Sequence, residues 1–93
     1  MQKAYNDLLS SRLETALDAG AALILWNELY RWYEMKKIAV GTWRDLDQRW
    51  EEMVTHRGTK PGKLMCVDGP GGLWLFSDNT LRSVKEIANK EEL

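Results

Sequence analysis

The side chains able to do nucleophilic, acid–base or metal chemistry are few and scattered. His56 is the single histidine and Cys66 the single cysteine, ten residues apart. A zinc-type site wants three or four Cys, His or carboxylate ligands with local pairing, and neither residue has a second of its kind to join it. The doublets Glu51-Glu52 and Glu91-Glu92 are sequence neighbours, and neighbouring side chains on a helix do not face each other. A serine or cysteine nucleophile needs a positioned base, and the sole imidazole falls at the end of a predicted helix beside a breaker-rich loop. Cys66 lies in an apolar run and reads as a small buried hydrophobe. Asp45, Asp47, Asp68 and Asp78 follow no spacing that assembles an acid–base pair. The expectation is a protein that is not an enzyme, with no cofactor and no metal.

Asp68-Gly69-Pro70-Gly71-Gly72 invites comparison with a phosphate-binding loop. It lacks the Lys-Ser/Thr tail of a P-loop, does not open a helix, and contains a proline with no N–H to donate. It reads instead as a hairpin turn whose glycines supply positive φ.

The elements that carry these residues must fit one small domain, 1–93. The chain holds 13 Lys plus Arg and 14 Asp plus Glu, for a net charge of −1, with 44% apolar and 29% charged residues. That balance excludes a disordered, highly charged chain. The most apolar run, Ala21 to Trp26, is far short of the roughly 20 residues of a membrane span. Nor do the first residues form a secretory signal, so a cytoplasmic location with no membrane partner is expected. One cysteine allows no internal disulfide, so stability must come from packing, and the five Trp supply area efficiently.

Hydrophobic spacing predicts an amphipathic helix over 4–18, with Tyr5, Leu8, Leu9, Leu13 and Leu17 on one stripe and Gly20 as its stop. A second helix is predicted over 22–37, apolar around half its circumference. A third is predicted over 42–56, with Thr42 as N-cap and Trp43, Leu46, Trp50, Met53 and Val54 inward. The period then changes to two, giving a hairpin over 63–76, and Ser77-Asp78-Asn79 is placed to cap a last helix over 79–90. The predicted class is α+β: three N-terminal helices, a two-stranded antiparallel β-hairpin and a C-terminal helix.

This order looks like a winged helix-turn-helix, and Thr42-Trp43-Arg44-Asp45-Leu46 is similar to the start of recognition helices in bacterial repressors of that fold. The resemblance covers about 35 residues. It implies that the hairpin is the wing, and that Arg44, Gln48 and Arg49 reach DNA with Lys60 and Lys63 in support. Charge argues the other way. Residues 42–55 carry a net −2, whereas DNA binders gain much of their affinity by neutralising phosphates.

Residues 31–63 nevertheless carry a net +3, concentrated at Arg57, Lys60 and Lys63. On the hairpin, Trp74 and Phe76 share one strand face while Leu73 and Leu75 take the other. A small domain cannot bury both faces of a hairpin unaided, and exposed aromatics with nearby cations have the composition of an interaction hot spot. The expected function is non-catalytic protein binding or self-association, as in a small bacterial or mobile-element inhibitor or adaptor that docks on a larger protein machine. Trp74 and Phe76 would anchor, and Arg57, Lys60 and Lys63 would steer.

Overall fold

A computed structural model describes residues 1–59 and 62–90; Lys60, Pro61 and the Glu91-Glu92 doublet lie outside the described residues. Helix α1 spans Lys3–Asp18 and buries Leu9, Leu13 and Ala16. Leu8, expected on the same stripe, is exposed. The helix ends where the Ala19 N–H bonds the Thr15 carbonyl at 2.8 Å, and Gly20 then takes a φ of +97°.

The next segment corrects the sequence reading. Residues 22–37 are not one helix. Ala22–Leu25 is a strand, β1, and Trp26–Trp32 is a short helix, α2. An apolar run with no polar side has no helical preference of its own, and pairing with a neighbouring strand settles it. The change to helix is marked by Glu28, whose carboxylate accepts the Leu25 N–H at 3.0 Å, a side-chain acceptor for an otherwise unpaired donor. The apparent width of the second helix therefore came from Leu23 and Leu25, which belong to a sheet. Past Trp32 the chain leaves the helix, and Glu34 adopts a φ of +54°.

Helix α3, Val40–Arg57, starts earlier than expected, with Ala39 and not Thr42 at the N-cap. Thr42 lies inside the helix, buried, with its hydroxyl donating to Met35 Sδ at 3.3 Å. Leu46, Trp50 and Val54 point into the core. Gly58 closes the helix in the left-handed conformation that glycine adopts without strain.

Strands β2 (Leu64–Asp68) and β3 (Gly72–Ser77) form the hairpin. The sheet has three strands, not two, in the order β1-β3-β2, all antiparallel. The turn does not use positive φ: Gly20, Gly58 and Gly62 are the positive-φ glycines among the described residues. Gly72 serves close approach instead, since a Cβ there would stand 2.6 Å from the Ile24 carbonyl of β1. The hairpin tip is tied down by the Trp26 indole N–H, which donates to the Gly69 carbonyl at 2.7 Å.

Ser77-Asp78-Asn79 opens no long helix. Asp78–Thr80 is a single 3₁₀ turn, and a separate short helix, α4, runs Val84–Lys90. Ser83 serves it as cap: its Oγ accepts the Glu86 N–H at 3.4 Å and its carbonyl the Ile87 N–H at 3.0 Å.

One face of the sheet packs on the helices. Ala22, Ile24, Leu73 and Leu75 join Leu9, Leu13, Leu29, Trp32, Leu46 and Trp50 in a single core. Around its edge Arg12 locks α1, β1 and α2 together. Its guanidinium pairs with both Glu28 oxygens at 3.0 and 2.8 Å, donates to the Leu23 carbonyl at 2.7 Å, and lies 5.3 Å from the Trp32 ring centroid.

Two carboxylates acquire pH dependence from such contacts. Glu28 is held below the usual carboxylate range, chiefly by the Arg12 hydrogen bond. Burial pulls Asp45 upward, but the Tyr33 hydroxyl at 2.6 Å and Arg49 Nε at 2.7 Å outweigh it, and its pKa too is lowered. A carboxyl that is more acidic folded than unfolded stabilises the fold above its unfolded pKa, and that contribution is lost as pH falls through the folded value. Unfolding free energy should therefore be flat from about pH 7 to 5 and decline below about pH 4.5. Glu28→Gln should flatten that decline in urea titrations; an unchanged acid limb would sink the assignment.

Candidate functional site

The sheet's other face is the candidate site. Strand alternation and register put six side chains there: Leu23 and Leu25 from β1, Trp74 and Phe76 from β3, Met65 and Val67 from β2. Leu23, Trp74 and Val67 form one row across all three strands, and Phe76 stands opposite Met65. Every member is apolar. Trp74 is 46% exposed and Val67 53%, with Leu25 and Met65 also exposed and Leu23 and Phe76 half-buried. An outward sheet face on a domain packed by helices is ordinarily polar. Here hydrophobic side chains meet water across the full width of the sheet.

The five Trp divide accordingly. Trp32 and Trp50 are buried, Trp26 and Trp43 pack half-buried against the core, and Trp74 stands at the centre of the exposed face.

The charges expected to steer a partner are not assembled into one patch. The ladder continues one step past β2, with the Asp78 N–H on the Lys63 carbonyl at 3.0 Å. This places exposed Lys63 at the end of the Met65–Val67 row. Arg57 lies at the end of α3, where its guanidinium is ion-paired with Asp18. Lys60 lies outside the described residues.

The residues assigned to DNA by the winged-helix resemblance divide as well. Arg44 is exposed on α3. Gln48 is exposed and donates to the Glu52 carboxylate at 3.0 Å. Arg49 is already engaged, bonded to Asp45 at 2.7 Å and to Asn6 Oδ1 at 2.6 Å. Its role is to join α3 to α1. Asp47, Glu51 and Glu52 are exposed on the same helix as Arg44, so the outward surface of α3 is acidic.

Cys66 also departs from expectation. It is exposed, not buried, on an edge strand whose inner side the helices do not fully cover. It lines an apolar notch of about 210 Å³ between α3 and β2, with Trp43, Leu46 and Leu64. Partial burial and the Asp68 carboxylate push its thiol pKa up, which disfavours the reactive thiolate. His56 lines an open groove between α1 and α3 with Glu14 and Glu52. Among the described residues no three or more His, Cys, Asp or Glu side chains come together as a metal site. No described helix is long and apolar enough to cross a membrane.

Sequence reasoning found Trp74 and Phe76 from their alternation, but missed Leu23, Leu25, Met65 and Val67 as members of the same surface. Met65 and Val67 carried a signal, since they alternate with Leu64 and Cys66. Leu23 and Leu25 carried none that a helix would not share. Comparison with known protein families, with curated proteins and with solved structures gives no match.

Proposed function

We propose that the chain is a non-catalytic protein-binding module that docks through the outer face of its sheet. The observation that supports this reading is the all-apolar row Leu23–Trp74–Val67 with Leu25, Met65 and Phe76 around it. Contiguous apolar surface of this kind on a small domain marks a contact surface, and a central Trp is the residue type that most often anchors one. Lys63, beyond Met65 along the β2 edge of this face, adds a steering charge. Action as an inhibitor or adaptor on a larger assembly fits a domain of this size that presents one sticky face.

A second reading is favoured by connectivity. The order helix, strand, helix, helix, strand, strand, with the first strand joined to the third, is that of a winged helix, in agreement with the resemblance noted at Thr42–Leu46. In that reading α3 would enter the major groove and the β2–β3 hairpin would be the wing. Against it stand the acidic outer surface of α3, the engagement of Arg49 and a hairpin tip that carries no base. The connection between α2 and α3 is also long. Residues 33–39 replace the three or four of a typical helix-turn-helix. A winged-helix scaffold used for protein contacts reconciles connectivity with charge.

Paired measurements separate the readings. Immobilised wild-type chain should retain a protein partner from host lysate, identifiable by mass spectrometry. Trp74→Glu should lose it, while Arg44→Glu keeps it. Random duplex DNA at about 50 mM salt should not be bound; micromolar, steeply salt-dependent binding would move the assignment to DNA.

A further inference from the structure

Among the described residues, a second apolar surface besides the sheet face lies open, on α4 and the residues that lead into it. Helix α4 packs substantially on no other element. Leu81, which leads into it, is 62% exposed and Val84 is 81% exposed. Val84, Ile87 and Ala88 fall on one stripe at helical spacing, the pattern of a helix meant to lie on something. The Cα radius of gyration is 14.8 Å, with a long axis of 49 Å, against about 12 Å expected for a compact domain of this length.

Its own sheet is not where this helix goes. After β3 the chain is held in the 3₁₀ turn at the end of the sheet. The Thr80 hydroxyl donates to the Ser77 carbonyl at 2.7 Å, and it also reaches the Gly20 carbonyl at 3.4 Å. The Leu81 N–H returns to the Asp78 carbonyl at 3.4 Å, and Asp78 is itself bonded to Lys63. These contacts hold the chain as far as Leu81 at the end of the sheet, and beyond it α4 makes no extensive packing with another described element.

We infer that α4 of one copy seats on the outer sheet face of a second copy, reciprocally, so that the chain forms a two-fold dimer by exchange of its last helix. This rests on the reading of that face as a protein-docking surface and names one occupant of it. The areas agree. Leu25, Met65, Val67 and Trp74 expose roughly 400 Å² of apolar surface, and Leu81 with the α4 stripe roughly 300 Å² more. Each protomer would then contribute about 700 Å², close to the ~800 Å² per partner of a standard interface. A reciprocal contact also satisfies the requirement that a two-fold interface use both of its surfaces twice. The dimer would occupy the docking face, so that release of α4 precedes capture of another protein.

Sedimentation velocity of the full chain over a concentration series tests this. Wild type should pass from monomer to dimer between about 1 and 100 μM, the weak end for an interface of standard size. Val84→Asp and Leu81→Asp, both at exposed positions, should each raise the dissociation constant at least tenfold. So should Trp74→Ala, with Val67→Lys as a second sheet variant should Trp74→Ala fail to fold by circular dichroism. A mixture of Val84→Asp and Val67→Lys chains retains one intact helix and one intact face, and should recover a heterodimer that neither forms alone. A monomer at every concentration overturns the exchange. So does a dimer broken by the sheet variants but untouched by the α4 variants, which would be sheet packed on sheet. The docking reading fails separately: only there would Trp74→Glu retain the lysate partner, whereas the α4 variants keep the face free and should capture it as well as or better than wild type.

Discussion

Trp50→Ala is expected to destabilise the domain by roughly 3–5 kcal/mol, the usual cost of truncating a buried aromatic. For a domain of this length each kcal/mol corresponds to about 4–8 °C in melting temperature, so the midpoint should fall by at least about 12 °C. The indole is fully buried at the centre of the core, and a large void there cannot close without moving α3 off the sheet. Its Nε1 also donates to the Gly62 carbonyl at 3.1 Å. Gly62 holds a φ of +93°, and a Cβ on it would stand 2.0 Å from Asp78 Oδ1. Trp50 therefore anchors the approach to β2 as well as filling the core. Trp50→Phe keeps most of the volume and should cost less, about 1–3 kcal/mol, from the smaller ring and the lost hydrogen bond to the Gly62 carbonyl. Thermal and urea denaturation followed by far-UV circular dichroism measures both. A Trp50→Ala protein within 1 kcal/mol of wild type would overturn this account of the core.

The second large effect is expected at Arg12. Arg12→Met should cost about 2–3 kcal/mol, a discounted form of the 3–5 kcal/mol for breaking a buried pair, since both partners retain some solvent. The methionine keeps an apolar side chain of similar length but removes the guanidinium from the Trp32 ring, leaves the Glu28 carboxylate without its bidentate partner and the Leu23 carbonyl without its donor. Glu28 would then lose the interaction that lowers its pKa, so the acid limb of the stability profile should shrink in the same variant. The double variant Arg12→Met/Glu28→Gln should cost less than the two single variants added together, because no unpaired carboxylate remains. Strict additivity in urea denaturation would show that the pair is not a unit.

Much of the helical framework was legible in the sequence. The Leu9–Leu13 stripe of α1, the Leu46–Trp50 stripe of α3 and the stop at Gly20 follow from spacing and backbone chemistry alone. So did the hairpin, from a change of period flanked by glycine. The misreadings share a cause. Ala22 to Leu25 form a strand because β3 offers a free edge, and nothing within residues 21–26 reports that edge. Thr42 resembled an N-cap, but contact with Met35 takes it into the helix interior. Arg49 looked free for a phosphate, yet Asn6, 43 residues away in sequence, holds it. The turn glycines suggested positive φ, while the actual demand at Gly72 is for space beside Ile24.

For the candidate site, alternation along β3 was enough to put Trp74 and Phe76 on one face, because a strand turns successive side chains to opposite sides whatever surrounds it. Composition likewise settled that a domain without disulfides would use several of its Trp as packing area. What only the tertiary structure decided is that the Trp74 face spans three strands, is apolar throughout and is left uncovered. It also decided that α4 packs extensively on no other described element and that Cys66 lies at the surface. Periodicity acts between residues a few positions apart, whereas cover, edges and partners are set by contacts between segments distant in the chain. The sequence determined which side chains share a face; the fold determined which face meets water.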